Sequence, residues 1–196
     1  ELQLVDNSST DGSGKYAFEK YPIPAMIESD NKHQFITGLN DSFRYAKHEH
    51  VLFVTNDVEM QHGSIERLFQ LSEKYPHAII QPTFLWPDLS IQNVGMRWVW
   101  PAYGIANKHH GEFGSFSETP IVTTTAFIMT RSAWKDIGRF DKELAPGHYE
   151  DVDYSFRAKK LGYKLLVDHS ARAIHRGAHS FNKVYGKRGI SKTGHK

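Results

Sequence analysis

Short apolar segments alternate with segments of helical periodicity along the chain, and this alternation limits the fold more than any other feature. The runs that suit buried strands are Leu2–Val5, Val51–Thr55, Ala78–Pro82 and Ile121–Thr130. Between the first two runs, apolar residues recur at helical spacing from Phe35 to Ala46. This order predicts an α/β fold in which helices flank a mostly parallel central sheet.

The second half of the chain continues the alternation. Helices are predicted to begin near Ser64, at Ser132 as a capping residue, and near Glu150. The last two helices are predicted to end at Gly138 and Gly162. Two short strands are predicted to follow, at Lys164–Asp168 and Arg172–Ile174. The stretch from Thr83 to Pro120 has no clear period and predicts long loops or irregular strands.

The composition predicts one folded domain over residues 1–196. With 39% hydrophobic and 23% charged residues, the chain is apolar enough to bury a core. It has no cysteine, which excludes disulfides, thiolate zinc sites and thiol catalysis and leaves the redox compartment open. No apolar run reaches the roughly 20 residues of a membrane-spanning helix.

Charge is distributed unevenly. The net charge of +2 is too small to predict nucleic-acid binding. The end of the chain, residues 176–196, carries basic residues and no acids. This basic tail predicts contact with anionic lipid headgroups or phosphates, although a solvated, frayed terminus explains it equally well. The chain opens at Glu1 with a strand-like segment rather than a leader, so we expect a cytoplasmic protein or one at the inner membrane face.

The first candidate site follows the first strand. Asp6 and Asn7 begin the turn-rich segment Asp6–Gly14. Ligands of open parallel sheets bind outside the carboxyl ends of the strands, where a carboxylate and an amide can hydrogen-bond a nucleoside. An ordinary Asx turn is the simpler interpretation of either residue alone.

A second candidate site combines Asp57 and His175, each of which lies just beyond a predicted strand. An oxygen ligand at Asp57 could hold Mg²⁺ or Mn²⁺, and a neutral imidazole is a competent metal ligand. Taken alone, Asp57 is more simply interpreted as a helix cap or turn residue. His175 is one of 12 histidines and means little by itself.

A third candidate site is the acidic run Glu150–Asp153 at a predicted helix start. Acids in the first turn cap backbone N–H groups and suit the helix dipole, which is sufficient reason for their presence. They could also include a general base aimed at a hydroxyl group. A helix N-terminus favours the ionised carboxylate, so such a base would be charged near neutral pH.

The order of these segments resembles the family-2 glycosyltransferases, which have the GT-A fold. In the first half, the resemblance lies in Asp6–Ser13 after a strand, Gly38–Asn40 on a helix and Val51–Val58. In the second half, it lies in Arg131, Gly138–Asp141, Glu150–Asp153, Arg157, Gly162, Tyr163 and His175. The resemblance covers Leu2 to His175 in the family's order and spacing. Length also makes the chain similar to a small viral member of the family.

The resemblance implies an inverting transferase that moves a sugar from a UDP-, GDP- or dTDP-sugar to a hydroxyl acceptor with Mn²⁺ or Mg²⁺. It implies Asp151 as the catalytic base, Asp57 as the last residue of a DXD motif, and His175 as a further metal ligand. Donor contacts are implied for Asp6, Asn7, Asn40, Asn56, Asp57 and Thr125. The acceptor would be a lipid-linked sugar, a glycan or a glycoprotein, in the host cytoplasm if the protein is viral.

Two departures from the family pattern matter. The DXD motif is Thr55-Asn56-Asp57 here, so its first carboxylate is missing and metal affinity is expected to be lower. The family also begins with one more strand and helix than this sequence. The expectation is either an abbreviated fold or a pocket wall that a partner or a loop supplies.

Two other functions stay open at this stage. A sugar-phosphate nucleotidyltransferase also uses an α/β sheet and a metal, but it is expected to carry a basic, glycine-rich phosphate loop. Here the first turn is acidic and serine-rich, with only Lys15 nearby. A non-catalytic binding module could hold a sugar against the aromatic residues Trp86, Trp98, Trp100 and Tyr103, although core packing explains these equally well.

Overall fold

The computed structural model describes residues 1–29, 34–99, 103–106, 114–145, 147 and 149–177. The strands are β1 (Gln3–Asp6), β2 (Ala25–Glu28), β3 (His50–Val54), β4 (Val58–Met60), β5 (Ala78–Leu85), β6 (Ile91–Asn93), β7 (Met96–Val99), β8 (Tyr103–Ala106), β9 (Phe116–Glu118), β10 (Ala126–Thr130) and β11 (Lys164–His175). The helices are α1 (Ser13–Lys20), α2 (Gln34–Tyr45), α3 (Ser64–Lys74), α4 (Arg131–Ile137) and α5 (Glu150–Lys160), with a 3₁₀ turn at Lys142–Leu144. Within these ranges, no helix is both long and apolar enough to cross a bilayer.

A mixed central sheet with the strand order β3-β10-β5-β11-β4 carries the fold. β5 and β11 are parallel, and β10 lies antiparallel between β3 and β5, so β3, β5 and β11 point the same way. The short strands β4, β6 and β9 pair antiparallel with β11 or β5. The predicted α/β class with a helix-flanked central sheet is confirmed, while the strand directions are more mixed than predicted.

Helices cover both faces of the central sheet. On one face, Leu39 and Phe43 of α2 pack in a cluster with Ile79, Phe127 and Leu165. On the other face, α3 contributes Leu68 and Leu71 to a cluster that contains the next residue of each strand, Ile80, Ile128 and Leu166. Because successive strand residues point to opposite faces, α2 and α3 lie on opposite sides of the sheet.

A second, two-stranded sheet precedes the central one. β1 and β2 are parallel and are joined by α1, which makes β1-α1-β2 a crossover unit. The sequence pattern predicts only a turn-rich segment here, and it indicates neither α1 nor β2. Gly12, at φ 78°, turns the chain into a helix of only eight residues that buries little of its surface. So short an element leaves no clear apolar period.

The last strand contains a bulge that the sequence did not reveal. Asp168 pairs with Pro82 and Arg172 pairs with Thr83, so β11 advances four residues over a distance in which β5 advances one. The buried carboxylate of Asp168 accepts the N–H groups of Ser170 and Ala171 at 2.8 and 3.1 Å and holds the bulge closed. The two predicted strands Lys164–Asp168 and Arg172–Ile174 are therefore one strand.

Two further predictions need correction. β10 begins at Ala126 rather than at Ile121, which forms only an isolated bridge with Met96. The cap of α4 is Thr130, whose hydroxyl accepts the N–H of Ala133 at 3.0 Å, and Ser132 lies inside the helix. Gly138 ends α4, as predicted.

The cap of α4 provides a stability test. Replacing Thr130 with alanine removes the acceptor for the Ala133 N–H and should lower the free energy of unfolding by about 1 kcal/mol. Ser132→Ala is the matched control, because Ser132 is exposed and does not cap the helix; its effect should stay within about 0.5 kcal/mol. Urea unfolding of both variants measures the difference. Equal losses would show that the cap makes no special contribution.

Candidate active site

Most of the polar side chains that the sequence predicts to be functional line one cleft. It runs between β1 and β3, has a volume of about 1730 Å³ and includes the carboxyl ends of both strands. The predicted site residues that line it are Asp6, Asn7, Asn56, Asp57, Thr125, Asp151 and His175. The fold therefore brings Asp57 and Asp151 to the same cavity from distant parts of the chain.

Asp57 is held by the turn that follows β3. The N–H of Thr55 donates to the carbonyl of Thr125 at 3.0 Å, which fixes the start of this turn against the segment before β10. The hydroxyl of Thr55 donates to Oδ1 of Asp57 at 2.6 Å. The N–H of Arg176 donates to the main-chain carbonyl of Asp57 at 3.0 Å. The carboxylate is thus oriented, with its other oxygen, Oδ2, turned toward His175.

His175 stands at the end of β11 and is oriented by Gln92 of β6. Gln92 donates from Nε2 to the carbonyl of His175 at 3.2 Å, so its Oε1 faces Nδ1 of the same ring at 2.7 Å. Nδ1 therefore carries the proton in that bond. Nε2 points at Oδ2 of Asp57 from 3.3 Å. Sequence reasoning missed Gln92, because it lies in the stretch that showed no period.

The Asp57–His175 pair has the chemistry of a cation site. In the neutral ring, Nε2 is a lone-pair acceptor that faces a carboxylate oxygen, so a proton or a metal ion has to lie between them. The hydrogen bond from His175 is the main cause that lowers the pKa of Asp57; burial opposes it and Thr55 adds to it. Among the described residues, no group of three or more acidic, cysteine or histidine side chains could hold a metal. A divalent cation here would therefore complete its shell with phosphate oxygens and water, as Mg²⁺ commonly does.

Asp6 and Asn7 form the opposite wall of the cleft. Oδ1 of Asp6 accepts the N–H of Ser9 at 3.0 Å, so the residue does form a local turn. Its Oδ2 lies against α1 so closely that a Cβ added to Gly14 would come within 2.2 Å of it. Oδ1 of Asn7 is buried and accepts no hydrogen bond in the described part of the chain. An unsatisfied acceptor at a cleft wall suits a ligand that brings its own N–H or O–H group.

Asp151 lies at the start of α5, above an apolar floor. Phe127, Phe140 and Tyr154 line a small cavity beneath its side chain. Burial is the main cause that raises the pKa of Asp151 to about 7, and the carboxylate of Glu150 raises it further; the Val152 N–H, at 2.8 Å, opposes both. Desolvation thus outweighs the backbone N–H groups at the helix start, and the pKa of Asp151 lies well above that of an ordinary aspartate.

Glu150 is a buried neighbour whose importance the sequence did not indicate. Its side chain is only 7% exposed, and its Oε1 accepts the hydroxyl hydrogen of Thr124 at 2.7 Å. Oε2 is buried without a hydrogen-bond partner in the described part of the chain. Its carboxylate lies beside that of Asp151 and adds to the burial that raises the pKa of Asp151, so Asp151 is a better proton acceptor than an ordinary aspartate.

Asn40 does not lie in the cleft. Its Nδ2 donates to the carbonyl of Phe140 at 3.0 Å, and its Oδ1 accepts the N–H of Phe140 at 2.9 Å. Both ends of the amide are thus used to tie α2 to the segment before the 3₁₀ turn. Asn40 is a structural residue in this arrangement, whereas Asn56 and Thr125 stay at the cleft as expected.

Of the four aromatic residues considered for a binding module, the structure describes the side chain of Trp86 alone. Trp86 is not among the side chains that line it. The side chains of Trp98 and Tyr103, and the whole of Trp100, lie outside what the structure describes. Most of the predicted basic tail lies outside the described residues as well. Its first member, Arg176, pairs with Glu59 at 3.1 Å.

Comparison with known proteins gives consistent results. The family model described as glycosyl transferase family 2 matches residues 1–138. The chain is similar to N-acetylglucosaminyl-diphospho-decaprenol L-rhamnosyltransferase from two strains of Mycobacterium tuberculosis, with 26% identity over 205 residues, 90% of this chain and 66% of the relative. It thus spans slightly less than two thirds of these relatives. The crystal structure of GalNAc-T7 with UDP, GalNAc and Mn²⁺ superposes with a TM-score of 0.76 at 15% identity, over 97% of this chain and 39% of that one, which shows a shared fold.

The Asp57–His175 contact can be tested by titration. Replacing His175 with phenylalanine removes the main cause that lowers the pKa of Asp57, so this pKa should rise. Carboxyl-carbon NMR in the presence of a chelator measures it. Thr55→Val is the control; it removes a weaker contribution and should raise the pKa less. An unchanged Asp57 pKa in His175→Phe would mean that the two side chains do not interact in solution.

Proposed function

The chain belongs to glycosyl transferase family 2, and from this membership we propose that it moves a sugar from a nucleotide-sugar donor to an acceptor hydroxyl, with inversion and with a divalent cation. The observation that carries the proposal is that the Asp57–His175 pair and the half-buried carboxylate of Asp151 line the same cleft. The pair suits the phosphate end of a donor. The carboxylate of Asp151 suits a proton acceptor.

The donor half of the site is built from the ends of β1 and β3. Asp6 and Asn7 offer acceptors to a nucleoside, and Asn56 and Thr125 line the path toward α5. Asp57 and His175 would hold Mn²⁺ or Mg²⁺, which when bound neutralises charge on the departing diphosphate. Of the residues in the Thr55-Asn56-Asp57 motif, Asp57 alone supplies a carboxylate, so substrate phosphates have to complete the binding.

The acceptor half centres on Asp151. In the proposed step, Asp151 takes the proton of the acceptor hydroxyl as its oxygen forms a bond to the anomeric carbon. The bond from that carbon to the diphosphate oxygen breaks, and its electron pair leaves with the nucleoside diphosphate. Attack comes from the face opposite the leaving group, so the configuration inverts. A carboxylate with a pKa of about 7 is better matched to this transfer than an ordinary aspartate.

Names of relatives suggest the substrate classes. One relative is named for an L-rhamnosyl group and a lipid-linked N-acetylglucosaminyl diphosphate, and another structure contains UDP with Mn²⁺. We infer a lipid-linked sugar as the first acceptor class to test, ahead of glycans and glycoproteins, at a cytoplasmic membrane face. Donor binding stabilises the folded state by mass action, so a thermal-shift screen of UDP-, GDP- and dTDP-sugars identifies the nucleotide.

Replacing the base tests the proposal directly. With the donor that the screen selects, and with Mn²⁺, the wild-type chain should release free nucleoside diphosphate as it transfers sugar. Asp151→Asn keeps the shape and removes the proton acceptor, so kcat should fall by about 10²–10⁴-fold while donor affinity is retained. A binding module would release no nucleoside diphosphate in either form. Transfer by Asp151→Asn at the wild-type rate would exclude Asp151 as the base.

The pH dependence of the rate tests the Glu150–Asp151 pair. Because the base acts only when ionised, kcat should rise with pH through about 7, the pKa of Asp151. Glu150→Gln removes the neighbouring charge, so the midpoint of this rise should move to lower pH. Asp153→Asn is the control: it removes an acid from the same turn, but one that pairs with Arg157 at 2.8 Å. Equal shifts in both variants would contradict a specific pair.

A further inference from the structure

The hairpin that joins β5 to β6 carries two exposed apolar side chains. Trp86 is 37% exposed and Leu89 is 62% exposed, and only Pro87 and Asp88 separate them in the chain. We call Trp86–Leu89 the hairpin tip. Single apolar residues are common on protein surfaces, but several of them together at one projecting point are typical of a contact with another molecule or a membrane.

The hairpin tip has a fixed conformation. The N–H of Leu89 donates to the carbonyl of Trp86 at 2.8 Å, and the N–H of Trp86 donates to the carbonyl of Ser90 at 2.9 Å. The carboxylate of Asp88 accepts the N–H and the hydroxyl of Ser90 at 2.9 and 2.6 Å. Pro87 restricts its own φ angle. The turn therefore holds its two apolar residues in place and uses the carboxylate of Asp88 within itself.

Leu89 adopts a backbone conformation that leucine disfavours. Its φ angle is 66°, in the left-handed region. In a hairpin turn of this kind the position with positive φ usually holds glycine, which reaches it without strain. The leucine strains the backbone and buries little of its side chain in return. The stability of the folded chain therefore does not account for a leucine at this position.

A basic segment leaves the fold beside the hairpin tip. A Cβ added to Gly177 would lie 3.7 Å from the ring of Trp86, so the chain passes Trp86 after β11 ends. The segment that follows, 178–196, contains five basic residues and no acid, namely Lys183, Lys187, Arg188, Lys192 and Lys196. Tryptophan and leucine enter the headgroup region of a bilayer, and clustered cations bind anionic lipids. The charge and the apolar tip together match an anionic bilayer surface.

The hairpin tip projects from the edge of the sheet that carries the candidate site. Ile174 pairs with Leu85, so the next residues of these parallel strands, His175 and Trp86, lie at the same level. Asp57 contacts His175 at this edge. A bilayer that receives the hairpin tip would therefore lie on the same side of the sheet as the Asp57–His175 pair.

We propose that the hairpin tip inserts into the headgroup region of an anionic bilayer while the basic residues of 178–196 bind lipid phosphates around it. A single weak membrane signal gives only marginal attachment, whereas two signals together give a stable one. Presentation of the site to a lipid-linked acceptor rests on the proposed function. Bilayer binding itself needs no sugar transfer, so either proposal can fail while the other holds.

Vesicle sedimentation of the 196-residue chain tests the proposal. The chain should bind vesicles of equal parts phosphatidylcholine and phosphatidylglycerol, and added salt should weaken this binding. Leu89→Asn removes the apolar group and should weaken binding by about tenfold. Leu161→Asn is the matched control, because Leu161 is 55% exposed and follows α5 at the opposite edge of the sheet. The proposal is overturned if the wild-type chain does not bind, or if the two variants bind equally well.

Thermal unfolding separates lost binding from lost folding. Asparagine and glycine both tolerate positive φ, so Leu89→Asn and Leu89→Gly should have the Tm of the wild-type chain or a higher one. Both variants should nevertheless lose vesicle binding to a similar extent. A lower Tm in both would mean that the leucine stabilises the fold, which would contradict the argument from backbone strain.

Paired charge substitutions test the contribution of the basic segment. Lys187→Gln combined with Arg188→Gln should weaken binding to the mixed vesicles but not the weaker binding to pure phosphatidylcholine. Lys159→Gln combined with Lys160→Gln removes the same charge from the end of α5, at the opposite edge, and should have little effect. Equal effects would show a response to net charge rather than a docking surface. Self-association that Leu89→Asn abolishes, without vesicle binding, would assign the hairpin tip to a second copy of the chain and overturn the proposal.

Discussion

The pairing of β11 with β5 is the constraint on which the rest of the structure depends. These two strands are parallel and mostly buried, and apart from the bulge they pair from Lys164 opposite Ala78 to Ile174 opposite Leu85. Through β10 they hold β3, and through β4 they hold the turn that contains Asp57. Because β11 ends at His175, the same pairing places the imidazole of His175 next to the carboxylate of Asp57. The contact between His175 and Asp57 is thus a product of sheet register rather than of any local motif.

The other half of the site depends on a competition between desolvation and the helix dipole. At the start of α5, the dipole favours ionised carboxylates, but Glu150 is nearly inaccessible and Asp151 lies over aromatic side chains. Burial prevails at Asp151, whose pKa rises to about 7. The raised pKa has a thermodynamic consequence: the folded state holds this proton where the unfolded chain has lost it. This residue's contribution to stability is therefore complete at low pH and declines as the pH rises toward 7.

The sequence predicted those features that depend on strong local patterns. The long apolar runs of β3 and β5, the periodic helix α2 and the glycine after α4 were read correctly because each carries its own signal. The sequence also named Asp57, Asp151 and His175, which converge on one cleft. It could not reveal Gln92, since the need for a partner to Nδ1 of His175 arises only when the folded sheet brings the Gln92 side chain of β6 to the end of β11. Nor could it show that the side-chain amide of Asn40 donates to the carbonyl of Phe140, because that contact joins residues far apart in the chain.

The bulge at Asp168 decides which side of the sheet His175 faces. In a regular strand, His175 would point to the same face as Leu165, because the two are an even number of residues apart, and that is the face covered by α2. At the bulge, β11 advances four residues while β5 advances one, so β11 has three extra residues. Because three is an odd number, the faces toward which successive side chains of β11 point are exchanged for the rest of the strand. Ala173 accordingly sits beside Phe84, and the ring of His175 lies 6.1 Å from that of Phe84, on the side away from α2. Gaining or losing a single residue between Asp168 and Arg172 would reverse the alternation once more and place the imidazole of His175 on the face of the sheet that α2 covers.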